Sequence, residues 1–156
     1  EEAGAEHGYC WYGNRALMSL RLEKGWGAWG LEFRPDFNAV ESGMDAFINW
    51  NKDFVGKEAT AAFKDAGVER KLVTLTIDTP IDVSLDEAVL VGDEAVGYIT
   101  SGSYAHHVGQ SMAMAYIATP HADAGSKVQV EILGEMHSAE IMGAPVYDPN
   151  GGRMRS

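Results

Sequence analysis

The sequence predicts an α+β chain: the end of an α/β domain over residues 1 to 67, then a small antiparallel barrel or sandwich over residues 70 to 150. Three observations predict it. In the first part, apolar residues fall at helical spacing or gather as aromatics punctuated by glycine. From Leu72 onward the period changes, and short β-rich runs recur at intervals of roughly ten to fifteen residues with almost no helical pattern between them. Finally, the first 67 residues offer two helices and only one or two strands. A lone strand cannot satisfy its own backbone groups, so this part is expected to be the tail of a larger α/β domain.

Taken in order, the acidic opening EEAGAEHG leads into an aromatic cluster of His7, Tyr9, Trp11 and Tyr12. Asn14 is placed to cap a helix over Arg15 to Glu23, with Leu17 and Leu20 on one side and Gly25 as its stop. KGWGAWGLEFRPD reads as a loop or short extended piece presenting Trp26, Trp29 and Phe33. Met44, Ala46, Ile48 and Trp50 alternate with mostly polar neighbours, predicting a strand; a helix capped at Asn38 with Glu41 three residues on is the alternative. Lys57 to Asp65 reads as a second helix, with Asp53 as its cap and Gly67 as its stop.

The strands of the second part are expected at Leu72 to Ile77, Val89 to Val91, Ala95 to Thr100, Ser111 to Ala118, Lys127 to Leu133 and His137 to Gly143. A tight turn at Gly92 to Glu94 joins the second and third. The glycine-rich YITSGSYAHHVG reads as a tight barrel loop, and the boundary between the two parts is expected near Gly67 to Arg70.

Composition bounds the function classes. Twelve Lys and Arg against 23 Asp and Glu leave a formal net charge of -11, a poor starting point for binding nucleic acid. Arg15, Arg21, Lys24 and Arg34 lie within one stretch, but Glu23 and Glu32 dilute it into a mixed, solvated face, with Glu23 read as a salt-bridged helix residue. The single cysteine, Cys10, can form no intrachain disulfide, which points to a reducing compartment, cytoplasmic or the mitochondrial matrix in a eukaryote. No apolar run reaches the roughly 18 residues of a membrane span, so no membrane partner is expected. The opening lacks an initiator Met, and a preceding segment is expected.

Familiar catalytic patterns are missing. No GxSxG elbow occurs, YITSGSYAHHVG lacks GxGxxG spacing, and adjacent His106 and His107 on a strand would point opposite ways, a poor tetrahedral metal pair. One of the two is better placed to contact a ligand or a neighbouring domain. The aromatic segment around Trp26 and Trp29 is a better recognition element, because a flat heteroaromatic ligand gains from stacking on it. Glu32 or Glu41 could then accept hydrogen bonds from a pterin-like edge.

Ordered strings along nearly the whole chain, ALMSLRLEKGWGAWGLEFRPDFNAVESGM, NKDFVGKEA, AVGYITSGSYAHHVGQSMAMAYI and PVYDP, resemble the aminomethyltransferase (glycine-cleavage T-protein) family. LRLEKGWGAWG, TSGSYAHHVGQS and PVYDPNGGR look most like its branch in the folate domain of dimethylglycine and sarcosine dehydrogenases. The resemblance implies a folate-binding α/β region ending within residues 1 to 67 and a carboxyl-terminal β-barrel over residues 70 to 150. It implies tetrahydrofolate as cofactor, FAD in a separate domain, an N-methylated amine substrate, and a catalytic Asp outside this chain. The remaining amino-terminal part of the parent is then a partner, the chain alone is expected to lack a complete active site, and a homo-oligomer is compatible.

Carried over residue by residue, the family's aromatic position falls on Trp29, the acidic position after it on Glu32, and the Glu before the next strand on Glu41. Tyr104 and His106 are expected at the barrel-side rim. The T-protein's folate-contacting Arg matches Leu17, its next Trp matches Ala46, and its late Tyr has no counterpart around Asn150 to Arg153. These departures favour the dehydrogenase branch over glycine-cleavage-type aminomethyl transfer or a folate-dependent demethylase. They also motivate a second class, a structural or partner-binding module without chemistry.

Overall fold

The computed structural model describes residues 1–153 and Arg155. Six antiparallel strands close into a barrel: β1 (Arg70–Ile77), β2 (Ala88–Val91), β3 (Glu94–Ala105), β4 (Gln110–Ala118), β5 (Lys127–Ile132) and β6 (Glu135–Met142). Their order around the barrel is β1-β4-β3-β2-β5-β6, and β6 closes it by pairing Thr74 with Met142 through Ile77 with Ala139. Closure pairs every edge, which an open six-stranded sheet could not do. No described helix is long and apolar enough to cross a membrane.

The core follows from strand alternation. Val73, Leu75 and Ile77 of β1, with Ala113, Ala115 and Ile117 of β4, join Val89, Ile99, Val130, Ile132 and Ile141 in one buried cluster. Every residue of β4 from Ser111 to Ile117 is buried, so its other face is covered too. Met112 and Met114 on that face pack with Leu22, which lies on the helix α1 (Asn14–Glu23) laid outside the barrel. Burial on both faces explains why SMAMAYIA reads as a continuous apolar run rather than an alternating one.

The first 67 residues depart from expectation in identifiable ways. Asn14 is the first helical residue of α1 and not its cap; Gly13, in extended conformation, takes that place and its carbonyl accepts from the Leu17 amide. The expected strand at Met44 to Trp50 is absent, replaced by turns and one 3-10 turn at Asp45–Phe47, because no neighbouring strand offers it a ladder. The alternative was half right. Asn38 and Glu41 do form reciprocal capping bonds, Asn38 Oδ1 accepting from the Glu41 amide and Glu41 Oε2 from the Asn38 amide. They close a single turn that stops at Gly43, where φ is +68°.

Helix α2 (Lys57–Ala66) forms where expected but buries none of its residues. Its amino-terminal cap is Gly56, and Asp53 pairs with Lys57 at 3.5 Å instead of capping. In the barrel, TSGSY belongs to β3 and not to a loop, and the turn shrinks to residues 106–109. Pairing from Ser101↔Met114 to Ala105↔Gln110 holds this glycine- and serine-rich half in the sheet.

Candidate functional site

The site is built where α1 hands over to the aromatic loop. Gly25, at φ +64°, ends the helix with the Trp26 amide bonded to the Arg21 carbonyl and the Gly25 amide to that of Leu22. This paired closure needs a left-handed residue, which glycine supplies without strain. The chain then folds tightly on itself, the amides of Leu31, Glu32 and Phe33 all directed at the Ala28 carbonyl. Gly27 lies flat on the Phe33 ring; a Cβ there would stand 2.5 Å from Cζ.

Glu32 fastens this loop to the barrel. Its side chain is fully buried, with Oε2 accepting from Arg21 Nη1 at 3.0 Å and from the Ala28 amide at 2.7 Å. Its Oε1 accepts from Thr100 Oγ1 at 2.7 Å and from Ser101 Oγ. Adjacent residues on a regular strand face opposite ways. A β-bulge between Ile99 and Ser101 breaks the alternation, so both hydroxyls reach one carboxylate. Arg21 Nη1 also donates to the Trp26 carbonyl at 3.1 Å, tying both ends of the loop to one guanidinium. Burial pulls the Arg21 guanidinium below its ordinary value, and the charge of Glu32 opposes that shift.

Tyr116 of β4 completes the attachment. Its ring stacks on Phe37 with centroids 3.6 Å apart, its hydroxyl donates to the Glu32 carbonyl at 2.9 Å, and Ser42 Oγ lies 2.8 Å away. Burial pushes the phenol from 10.0 up to about 12; the Ser42 contact opposes the shift, and Glu41 and Glu32 add to it. The neutral phenol is thus the form the fold favours. Its stabilisation is complete below pH 10 and disappears as pH rises toward 12. A phenolate difference spectrum between the protein and Tyr116→Phe should show this one tyrosine ionising near pH 12; ionisation at the pH of the bulk tyrosines would contradict the burial argument.

With the loop so held, Trp29 stands 91% exposed. It borders an apolar groove of about 460 Å³ floored by Phe33, Pro35, Phe37 and Met44, with Arg34 at its side. Glu41 lines a separate cavity of about 550 Å³ that shares only Pro35 and Phe37 with the groove. Its carboxylate is engaged by the Asn38 amide and by Arg70 Nε at 3.5 Å. Tyr104 lines a third cavity, with Pro80 and Val108, that has no lining residue in common with the first two. His106 packs edge-on against Tyr104 at 5.2 Å, and its amide is bonded to Ser19 Oγ of α1. The structure therefore gathers Trp29, Glu32 and Glu41 around one loop, with only Trp29 open in the groove, and sets Tyr104 and His106 apart.

The basic stretch dissolves into pairs. Arg15 meets Asp82, Arg21 meets Glu32, Lys24 meets Asp148 and Arg34 meets Asp36. Asp82 is held below the usual carboxylate range by the Tyr104 amide and by Arg15. Glu23 is buried and forms no ion pair among the described residues: its Oε1 accepts from the His107 amide at 2.9 Å and from Ser19 Oγ at 3.3 Å. Sequence reasoning missed Arg21 and Tyr116 as parts of the site. A phenol inside the apolar run of β4 was the available signal, since a buried hydroxyl requires a partner.

Residues 70–148 match the glycine cleavage T-protein C-terminal barrel domain, and residues 1–52 match the GCVT N-terminal domain. The mitochondrial dimethylglycine dehydrogenase of Homo sapiens is 38% identical over 98% of the chain, which spans 18% of that protein. An aminomethyltransferase of Moorella thermoacetica is 39% identical over 93% of the chain, which spans 40% of it. The crystal structure of the glycine cleavage system aminomethyltransferase T from Bartonella henselae superposes over 85% of the chain, and 38% of its own, with a TM-score of 0.79 at 22% identity, a likeness of fold.

Proposed function

The chain belongs to the glycine cleavage T-protein family, and from that premise we propose that it forms one wall of a tetrahydrofolate-dependent one-carbon chamber in a dimethylglycine or sarcosine dehydrogenase-like protein. The observation that carries the reading is the rigidly held loop that presents Trp29 beside an apolar groove. A flat aromatic ligand fits such a surface, since ring stacking adds to area burial. When bound, tetrahydrofolate would supply a nucleophilic nitrogen for a carbon at the oxidation level of formaldehyde.

This chain's own part is to bind and to shield. Trp29 offers the face, Glu32 fixes the loop that carries it, and Glu41 supports the adjoining turn. Tyr104 and His106 contribute at the barrel-side rim, next to sequence outside these residues. The catalytic carboxylate, the flavin site and the pocket for the N-methylated amine lie in that other sequence, in keeping with a chain that spans 18% of the dehydrogenase relatives. A single unpaired thiol suits the cytoplasm or the mitochondrial matrix.

The full-length protein that carries this chain, given methyl-13C sarcosine and tetrahydrofolate, should place the label in methylene-tetrahydrofolate. Release of all label as formaldehyde whether or not folate is present would sink the reading and leave a module without folate chemistry. Trp29→Ala should weaken tetrahydrofolate binding about tenfold, the loss of one stacked face, and leave stability unchanged because the indole packs on little else. Equal affinity of variant and parent would remove Trp29 from the site.

A further inference from the structure

We infer that one end of the barrel is a docking face for a protein partner whose own surface is apolar and ringed by lysine and arginine. Strand directions define that end. There β1 stops at Ile77 beside Ser111 of β4 and Ala139 of β6, β5 stops at Ile132 beside Glu135, and β3 stops at Ala105 beside Gln110. The end therefore carries three connections, residues 78–87, 106–109 and 133–134. The Asp78 amide bonds the Ser138 carbonyl and the Asp86 amide that of Ile99, which holds the first connection across it.

Leu133 is the first sign of a contact. With Gly134 it forms the two-residue turn between β5 and β6, at φ of +52° and +84°. Positive φ at both turn residues suits asparagine or aspartate followed by glycine. A leucine in that position crowds its Cβ against the backbone. Leu133 is also 83% exposed, so the fold gains little packing in return. Backbone strain with no local reward gathers at sites that bind something. Ile81, Leu85 and Met136 stand exposed at the same end. Single exposed apolar residues are ordinary, whereas four around one barrel end make a contact surface.

Charge identifies the partner's chemistry. Asp78, Asp82, Asp86 and Glu87 lie in the first connection, and Glu131 and Glu135 flank the last turn. No Lys or Arg lies in any of the three connections. Arg15 reaches them from α1 and is paired with Asp82. Arg70 and Lys71 begin β1 and Lys127 begins β5, at the opposite end of the barrel. A second copy of this chain would set carboxylates against carboxylates. A basic rim around an apolar pocket complements both the charge and the exposed side chains.

Amide resonances of the chain, followed as a helical leucine–lysine peptide is added, test this, with a leucine–glutamate peptide of the same pattern as control. The expected result is movement concentrated in residues 78–87 and 133–136 with the lysine peptide and none with the glutamate peptide. Leu133→Asn should weaken the lysine peptide about tenfold, the loss of one buried leucine. The same change should raise the melting temperature by about 2–4 °C, because the turn then holds a residue that tolerates positive φ. Leu85→Ser leaves the turn alone, and should weaken the peptide without any gain in melting temperature. A melting temperature lowered by Leu133→Asn would show that the leucine serves the fold, and would overturn the proposal. Equal binding of the two peptides, or movement spread over every acidic stretch, would overturn it as well. Dimerisation abolished by Leu133→Asn would give the face to a second copy, and loss of the peptide site in the full-length protein would give it to that protein's own sequence. Either result overturns a separate partner.

Discussion

Glu32→Ala is expected to cost about 3–5 kcal/mol of stability, the range for removing one partner of a buried ion pair. The change strands the Arg21 guanidinium, 7% exposed, whose Nε and Nη2 already lack partners among the described residues. It also leaves the Ser101 hydroxyl and the Ala28 amide without their acceptor and the Thr100 hydroxyl with only the Met114 carbonyl. A domain of this size holds only about 5–15 kcal/mol in total, so the loss is a large share. Arg21→Met with Glu32→Leu should cost much less, because no charge then remains buried. Chemical denaturation of the three proteins reads both effects, and a loss below about 1 kcal/mol for Glu32→Ala would mean that water satisfies the cluster.

Tyr116→Ala should be of similar size, about 3–5 kcal/mol, as for other large aromatic side chains deleted from cores. Tyr116 is 1% exposed, stacks on Phe37 and bonds the loop at the Glu32 carbonyl, so the change opens a cavity and cuts a second tether at once. Tyr116→Phe keeps the ring and loses only the hydroxyl's bonds, which should cost about 1–2 kcal/mol. The ratio of the two losses in denaturant melts separates packing from hydrogen bonding. Equal losses would place the whole effect in the hydroxyl.

Much of the barrel was legible because its strands carry their own signal. Leu72 to Ile77 and Lys127 to Leu133 alternate with period two, and the hairpin at Gly92 and Asp93 has the expected turn chemistry. The second half of β3 was hidden, since Ser101, Gly102 and Ser103 have little strand preference of their own and are held by pairing with β4. The reverse error occurred at Met44 to Trp50, where the period-two pattern is present and the neighbouring strand is not. Propensity is local, and ladders are not.

The site divided in the same way. The exposure of Trp29 was legible because a tryptophan among glycines has few core positions available to it. Glu32 read as a ligand contact for a sound local reason, an acid in an aromatic loop. Its partners lie 11 residues before it in Arg21 and 69 after it in Ser101, a closure that no periodicity encodes. The bulge that turns Thr100 and Ser101 toward the same carboxylate is likewise invisible in single-sequence alternation.

On the proposed reading, a loop anchored by Glu32 offers Trp29 to folate. The indole N–H resonances of the four tryptophans, followed by NMR as tetrahydrofolate is added, test it most directly. The Trp29 resonance is expected to move progressively while Trp11, Trp50 and the half-exposed Trp26 stay nearly in place. A stationary Trp29 signal at folate concentrations that shift any of the other three would contradict it.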